Sequence, residues 1–400
     1  MKLFKTNEKR RPWAWLIAVI GAALLGSLLW IRIGSLTYGN AAAIEAATKL
    51  SASSWSAILE NPLNAPYTVI QRIVDMTGHH GITSLRLIST LFAAAAALLF
   101  YLVARQWHNT RVALLASWLF VSSSWFLHTA RLGSPEILWL VSILGLVVLL
   151  TPSRNGERSP WAFPFMLLVL SLVLYVPGMV WLVIAGVIFQ RKSIAAAWRS
   201  VRKLWVRIAG VLAALAAITP LVYGLARSPS LVKHWLGLPV GSRLADLTPL
   251  NIGESILGVP MSLFYKSSFD AVHWLSDLPL LSSFEIIMFL LGAFFYATHI
   301  RAARTRLIIV LAGVALLLVG IMGMTSVSLV VPVAYLLIAA GIAYILHLWL
   351  KVFPNNPIAR FLGICIIMLA VVLTSVYQTR SYFVAWRYND DTAKSFQIRL

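Results

Sequence analysis

Residues 161–190 read WAFPFMLLVLSLVLYVPGMVWLVIAGVIFQ, an apolar run without a single charge. The run is too long for one level membrane crossing and short for two, since a bilayer core takes about 20 helical residues. Tyr175-Val176-Pro177-Gly178-Met179 supplies a break, because proline and glycine both disfavour a continued helix. The stretch therefore reads as two short crossings that meet at Pro177 and Gly178. That choice fixes the fold, since counting one crossing instead of two would turn every later loop to the opposite side.

Outward from this stretch, nine further crossings follow from the same hydropathy pattern. Eleven crossings are expected, at about 13–33, 85–104, 112–127, 137–151, 161–176, 177–190, 204–223, 284–299, 307–322, 327–350 and 361–377. The composition agrees: of 400 residues, 60% are hydrophobic and 12% charged, against about 25% charged in soluble domains, and the mean hydropathy is +0.84. A spanning barrel would show alternating segments of about 10 residues, and none is present. The expected fold class is an all-α polytopic membrane protein, one transmembrane domain over 1–400. The N-terminal apolar run exceeds a signal-peptide core and reads as a retained first span.

Charge tests the register. With the N-terminus in the cytoplasm and alternating sides, 20 of the 33 basic residues but only two of the 13 acids, Glu8 and Glu157, face inward. This is the positive-inside pattern. It accounts for the net charge of +20 without any nucleic-acid partner. One crossing over 161–190 would put the cluster from Arg191 to Arg207 outside and destroy the asymmetry. The expected localisation is the cell membrane, multi-pass, with a cytoplasmic tail at 1–12, extracytoplasmic loops at 34–84 and 226–283, and an extracytoplasmic tail at 378–400. The lone Cys365 lies in an apolar run and supports neither an internal disulfide nor a thiolate metal site.

The first outer loop carries two expected short helices. Asn40 suits an N-cap for Ala41 to Leu50, which contains Glu45, and a second helix runs from Ser54 to Leu59 with Glu60 at its end. Trp55, Ile58 and Leu59 suit an interfacial helix. Each charge also has a purely structural account: Glu45 as a solvated helix charge, Glu60 as a turn residue before Pro62, Arg131 as a boundary arginine snorkelling to headgroups beside its partner Glu136. Adjacent His79 and His80 do not both ligate easily from an extended chain. Charges at membrane depth are expensive and more often functional than those on a soluble surface.

The order of these elements resembles the GT-C membrane glycosyltransferases, in the branch of the protein mannosyltransferases and the lipid A aminoarabinose transferase. The resemblance rests on Glu60-Asn61-Pro62-Leu63, on Leu85-Arg86-Leu87-Ile88-Ser89 opening the second span, and on Arg131-Leu132-Gly133-Ser134-Pro135-Glu136. It covers about residues 16–150. It implies a GT-C-like bundle of about 11 transmembrane helices with short interfacial helices in the first outer loop. It also implies transfer of a sugar from a polyprenyl-phosphate-linked donor to an extracytoplasmic protein, lipid or glycan. Arg131 would then hold the donor phosphate with Arg86 as helper, through charge-assisted bonds. Glu136 would orient Arg131 or line the sugar pocket, and Asn61 would join the substrate-binding set. The family usually carries Asp-Glu after the first span, where this chain reads Tyr38-Gly39-Asn40. The catalytic base would fall to Glu45 or Glu60. The alternative is a non-catalytic relative acting as a binding or partner subunit in envelope assembly. No organic cofactor is expected and a divalent metal is left open, with no ligand set assigned. Membrane lipids are the expected surroundings. The second outer loop, with Trp235, Arg243, Tyr265 and Trp274, would close over Arg131.

Overall fold

The computed structural model describes residues 13–30, 49, 52–78, 82–151, 161–201, 203–238, 248–267, 274 and 278–396. Among them the ordered elements are all helices. In chain order these are α1 (Trp13–Trp30), α2 (Trp55–Glu60), α3 (Ala65–Met76), α4 (Ile82–Trp107), α5 (Thr110–Ser122), α6 (Ser124–Arg131) and α7 (Ile137–Leu150). Then come α8 (Ala162–Val173), α9 (Met179–Phe189), α10 (Arg191–Ser200), α11 (Leu204–Arg227), α12 (Pro229–Trp235) and α13 (Pro249–Phe264). The last group is α14 (Ser283–Thr298), α15 (Ala303–Met322), a 3-10 turn (Met324–Leu329), α16 (Val331–Val352), α17 (Pro357–Arg380), a π-helical turn (Ser381–Trp386) and α18 (Asp390–Phe396).

Five of these are long and apolar enough to cross a membrane: α4, α11, α15, α16, and α17 taken with its π turn. The pair α5 and α6 makes a sixth if it counts as one span bent by 60°. Four more, at Ile137–Leu150, Phe163–Val173, Met179–Phe189 and Ser283–Thr298, are apolar but shorter. A 14-residue helix spans about 21 Å, less than the roughly 30 Å of a hydrocarbon core. The protein is thus a helical bundle of multi-pass membrane character. Its central element is α16, 61% buried along its most apolar window, and its outermost long helix is α11, 17% buried.

The break expected in the opening stretch is present. Between α8 and α9 the chain turns through Gly178 at φ +77°, where a β-carbon would also meet the Met322 sulfur. The Gly178 N–H donates to the Trp235 carbonyl at 2.9 Å. α14 and α16 form the most extensive helix pair. Their axes approach closely because Gly292 faces the Leu337 carbonyl and Gly341 faces that of Met288, leaving no room for a side chain at either position.

Three features differ from the sequence reading. The span expected at 112–127 is broken: Ser123 takes an extended conformation (φ −63°, ψ 139°) and caps α6 by accepting from the Phe126 N–H at 3.3 Å. Three consecutive serines make the bend possible, since their hydroxyls offer the backbone other partners. The last long helix does not stop near 377 but continues to Arg380 and through the π turn to Trp386, with Gln378, Ser381, Tyr382 and Trp386 buried. The first outer loop also holds a helix that the sequence reading did not assign, α3 at Ala65–Met76, with Pro66 in its first turn, where a missing N–H is tolerated.

Candidate functional site

Arg86 and Arg131 are the two largest fully buried side chains, each 2% exposed. Burying a guanidinium is costly unless polar groups surround it. The surroundings are built by α3, α4, the turn after α6, the end of α1 and the π turn.

Tyr67 of α3 is the knot. Its hydroxyl lies 3.0 Å from the Leu85 carbonyl oxygen on α4, 2.9 Å from that of Gly133 in the turn after α6, and 3.0 Å from Ser89 Oγ. Gly133 sits at φ +87°, a conformation that L side chains rarely adopt. Ser89 Oγ also donates to the Ser134 carbonyl at 3.4 Å. One tyrosine thus fixes the turn that follows Arg131 against the first turns of the helix that carries Arg86.

All eight residues of α6 are buried. Arg131, its last residue, donates from Nη1 to the Leu28 carbonyl of α1 at 3.0 Å. Its guanidinium carbon lies 4.8 Å from the centre of the Phe383 ring and 5.6 Å from that of Tyr382, both on the π turn. Ring faces and the carbonyl end of a helix both favour a cation. His128, one turn earlier, meets Trp386 edge to face with ring centres 5.0 Å apart. The π turn therefore caps α6 with Tyr382, Phe383 and Trp386. Such turns are rare and occur frequently at functional sites.

Among the described residues Arg131 makes no ion pair, and its Nε is buried without a hydrogen-bond partner. The electrostatic reach of both arginines extends to the Tyr382 phenol. Gln71 Nε2, Gln71 Oε1 and Ser134 Oγ are buried without a partner of hydrogen-bond geometry. The region thus gathers two buried cations and several buried polar atoms without a protein partner of hydrogen-bond geometry.

Comparison with protein-family models and with curated proteins finds no match.

The expected site residues separate into groups. Arg131 and Arg86 are both buried, and both act electrostatically on the Tyr382 phenol. Glu136 stands half-buried at the N-terminal boundary of α7 without capping it by a side-chain hydrogen bond; the helix dipole favours a carboxylate there. Glu60 and Asn61 are exposed at the end of α2, which packs on α11, with Leu59 and Pro62 against Gly224. Glu45, Arg243 and the helix expected at 41–50 lie outside the described residues, apart from Lys49. In the second outer loop, Trp274 is buried with its ring 6.1 Å from that of Trp125 on α6. Trp235 instead anchors to the α8–α9 break, donating to the Leu174 carbonyl at 2.7 Å, and Tyr265 is 70% exposed. Among the described residues no group of three or more acidic, histidine or cysteine side chains is placed to hold a metal ion.

Sequence reasoning missed Tyr67, Gln71, Ser134 and the aromatic residues of the π turn. The i, i+4 spacing of Tyr67 and Gln71 was a usable signal for one buried face of a helix. Nothing local marks the π turn.

Proposed function

We propose that the chain is a membrane glycosyltransferase that moves a sugar from a polyprenyl-phosphate-linked donor to an extracytoplasmic acceptor. The observation that carries the proposal is Arg131, a buried cation without a carboxylate partner among the described residues, beside a second buried arginine. Two guanidiniums are donors only, which suits a phosphate oxygen set. In transfer, the bond from the anomeric carbon to the phosphate oxygen breaks, and charge collects on that phosphate. Preorganised cations lower the barrier to such a step, commonly by several kcal/mol. The acceptor hydroxyl loses its proton to Glu45 or Glu60 and attacks the anomeric carbon.

This reading takes the bundle as GT-C-like with eleven crossings, the N-terminus in the cytoplasm and the C-terminus outside, the arrangement that the charge asymmetry favours. A cysteine at Ser395, in a Cys365→Ser background, would be labelled from outside intact cells. Labelling only after permeabilisation would remove this topology.

A second reading has its own support. Glu60 is exposed at the end of α2, so a protein that binds lipid-linked sugar without transferring it also fits. The deciding experiment uses purified protein with polyprenyl-phosphate hexoses, scoring donor binding and sugar transfer separately. The transferase reading expects Arg131→Ala to abolish transfer and weaken donor binding. It expects Glu45→Gln or Glu60→Gln to slow transfer by about 10²–10⁴-fold with donor binding retained. Binding by the wild type without transfer to any protein, lipid or glycan acceptor would establish the second reading.

A further inference from the structure

We propose that Gln71 and Ser134 form a subsite for a neutral, hydroxyl-bearing group, the sugar of the lipid-phosphate donor, beside the phosphate site at Arg86 and Arg131. The inference rests on the donor reading above and adds residues that the reading does not use.

The protein contains its own control. Gln378 and Gln71 are the same side chain at the same depth, 2% and 0% exposed. The Gln378 amide is fully engaged: Oε1 accepts from Ser124 Oγ at 2.6 Å and from the Ser124 N–H at 3.3 Å, while Nε2 donates to Glu285 Oε2 at 2.8 Å and to the Leu280 carbonyl at 3.2 Å. The Gln71 amide engages nothing at either end. A buried amide left open on both sides is destabilising, and a leucine would be tolerated better.

Position links the amide to the arginines. Gln71 lies one turn beyond Tyr67 on the same face of α3. Tyr67 holds the Leu85 and Gly133 carbonyls. Arg86 follows Leu85, and Ser134, whose Oγ is also buried and unpartnered, follows Gly133. The knot therefore holds together the segments that carry Arg86, Gln71 and Ser134.

The chemistry separates their ligands. A phosphate diester offers acceptors only, so it satisfies guanidinium donors and leaves Gln71 Oε1 unmet. A sugar hydroxyl both donates and accepts, and two adjacent hydroxyls satisfy both ends of the amide and the serine. Buried water is the competing occupant, since it too donates and accepts.

Binding of polyprenyl phosphate and of its glucosyl, galactosyl, mannosyl and N-acetylglucosaminyl esters to the full chain in lipid nanodiscs tests this. The wild type is expected to bind at least one ester about tenfold or more tighter than the bare phosphate, a difference of one or two hydrogen bonds. Gln71→Leu, and separately Ser134→Ala, should erase or reduce that preference while leaving affinity for the bare phosphate within about twofold; Gln71→Leu should melt no lower than the wild type. A preference that survives both substitutions, or the absence of any preference in the wild type, overturns the subsite and leaves water as the occupant. If no polyprenyl phosphate binds the wild type, with or without sugar, the donor reading itself fails.

Discussion

Gln378 donates its side-chain amide to the Glu285 carboxylate across 2.8 Å, and so ties α17 to the first turn of α14. The same carboxylate accepts from Tyr335 Oη at 2.6 Å and from the Ser282 N–H at 2.8 Å. Through Ser124 the network reaches the start of α6. Three helices and the bend that aims Arg131 are thereby held by one set of buried, satisfied polar groups. Such a set fixes geometry, and losing one member orphans the others.

Glu285→Ala is expected to be strongly destabilising. It leaves Tyr335 Oη and Gln378 Nε2 buried without this partner, and each orphaned group costs roughly 1–3 kcal/mol. Thermal unfolding in detergent measures the loss. A melting temperature equal to the wild type would mean that the network is dispensable.

Tyr67→Phe removes the hydroxyl that joins α3, α4 and the Gly133 turn while keeping the ring. The expected loss is roughly 1–3 kcal/mol in stability, because the single hydroxyl hydrogen shared between the Leu85 and Gly133 carbonyls is lost. Binding of polyprenyl phosphate should weaken as well, since the turn after Arg131 is released. Unchanged binding would separate the knot from the arginine site.

The α14–α16 contact predicts a contrast between two glycines. Gly341→Ala places a methyl into the Met288 carbonyl and should cost about 1–3 kcal/mol or more. Gly313→Ala on α15 meets nothing within 4 Å and should be neutral or stabilising by up to about 1 kcal/mol. Equal melting temperatures for the two variants would contradict the close approach.

His108, in the connection between α4 and α5, supplies a pH dependence. Burial, and then the nearby charge of Arg304, push its pKa from 6.5 down to about 3. Arg304 also donates to the Trp107 carbonyl at 3.0 Å. Between about pH 6.5 and about 3 the unfolded chain takes up a proton that the folded chain refuses. This residue therefore lowers stability as pH falls through that window, by up to about 1.4 kcal/mol per pH unit. Above pH 6.5 it is neutral in both states and has no effect. The difference in melting temperature between wild type and His108→Gln should shift in the variant's favour as the buffer is acidified from pH 7 to 4. A constant difference would exclude the effect.

Local patterns carried much of the bundle. The apolar run at 161–190 broke where Pro177 and Gly178 said it should, and the short helix expected from Ser54 to Leu59 is present at Trp55–Glu60, with Ser54 as its cap. Each expected crossing overlaps a helix, though five to six are long enough to span by themselves. The candidate site was legible only in its charges. Arg86 and Arg131 stood out because a cation in an apolar chain is rare. Tyr67 and Gln71 did not, because Pro62 and Pro66 masked the start of their helix. The cover over Arg131 was invisible, since Tyr382 and Phe383 meet it through tertiary packing, which short-range periodicity does not encode.

The covering of α6 by the π turn also has a consequence for biosynthesis. Ser124 and its partner Gln378 are 254 residues apart in the chain. At ~5–20 residues per second, that separation corresponds to roughly 13–50 s of synthesis. For most of that interval Arg131 has been synthesised while Tyr382 and Phe383 have not. The growing chain must shelter an uncovered guanidinium with lipid headgroups, water or the insertion machinery until its last long helix arrives. Completion of the arginine site is thus a late checkpoint, and a ribosome stalled before residue 380 would leave an open, positively charged pocket as its signature.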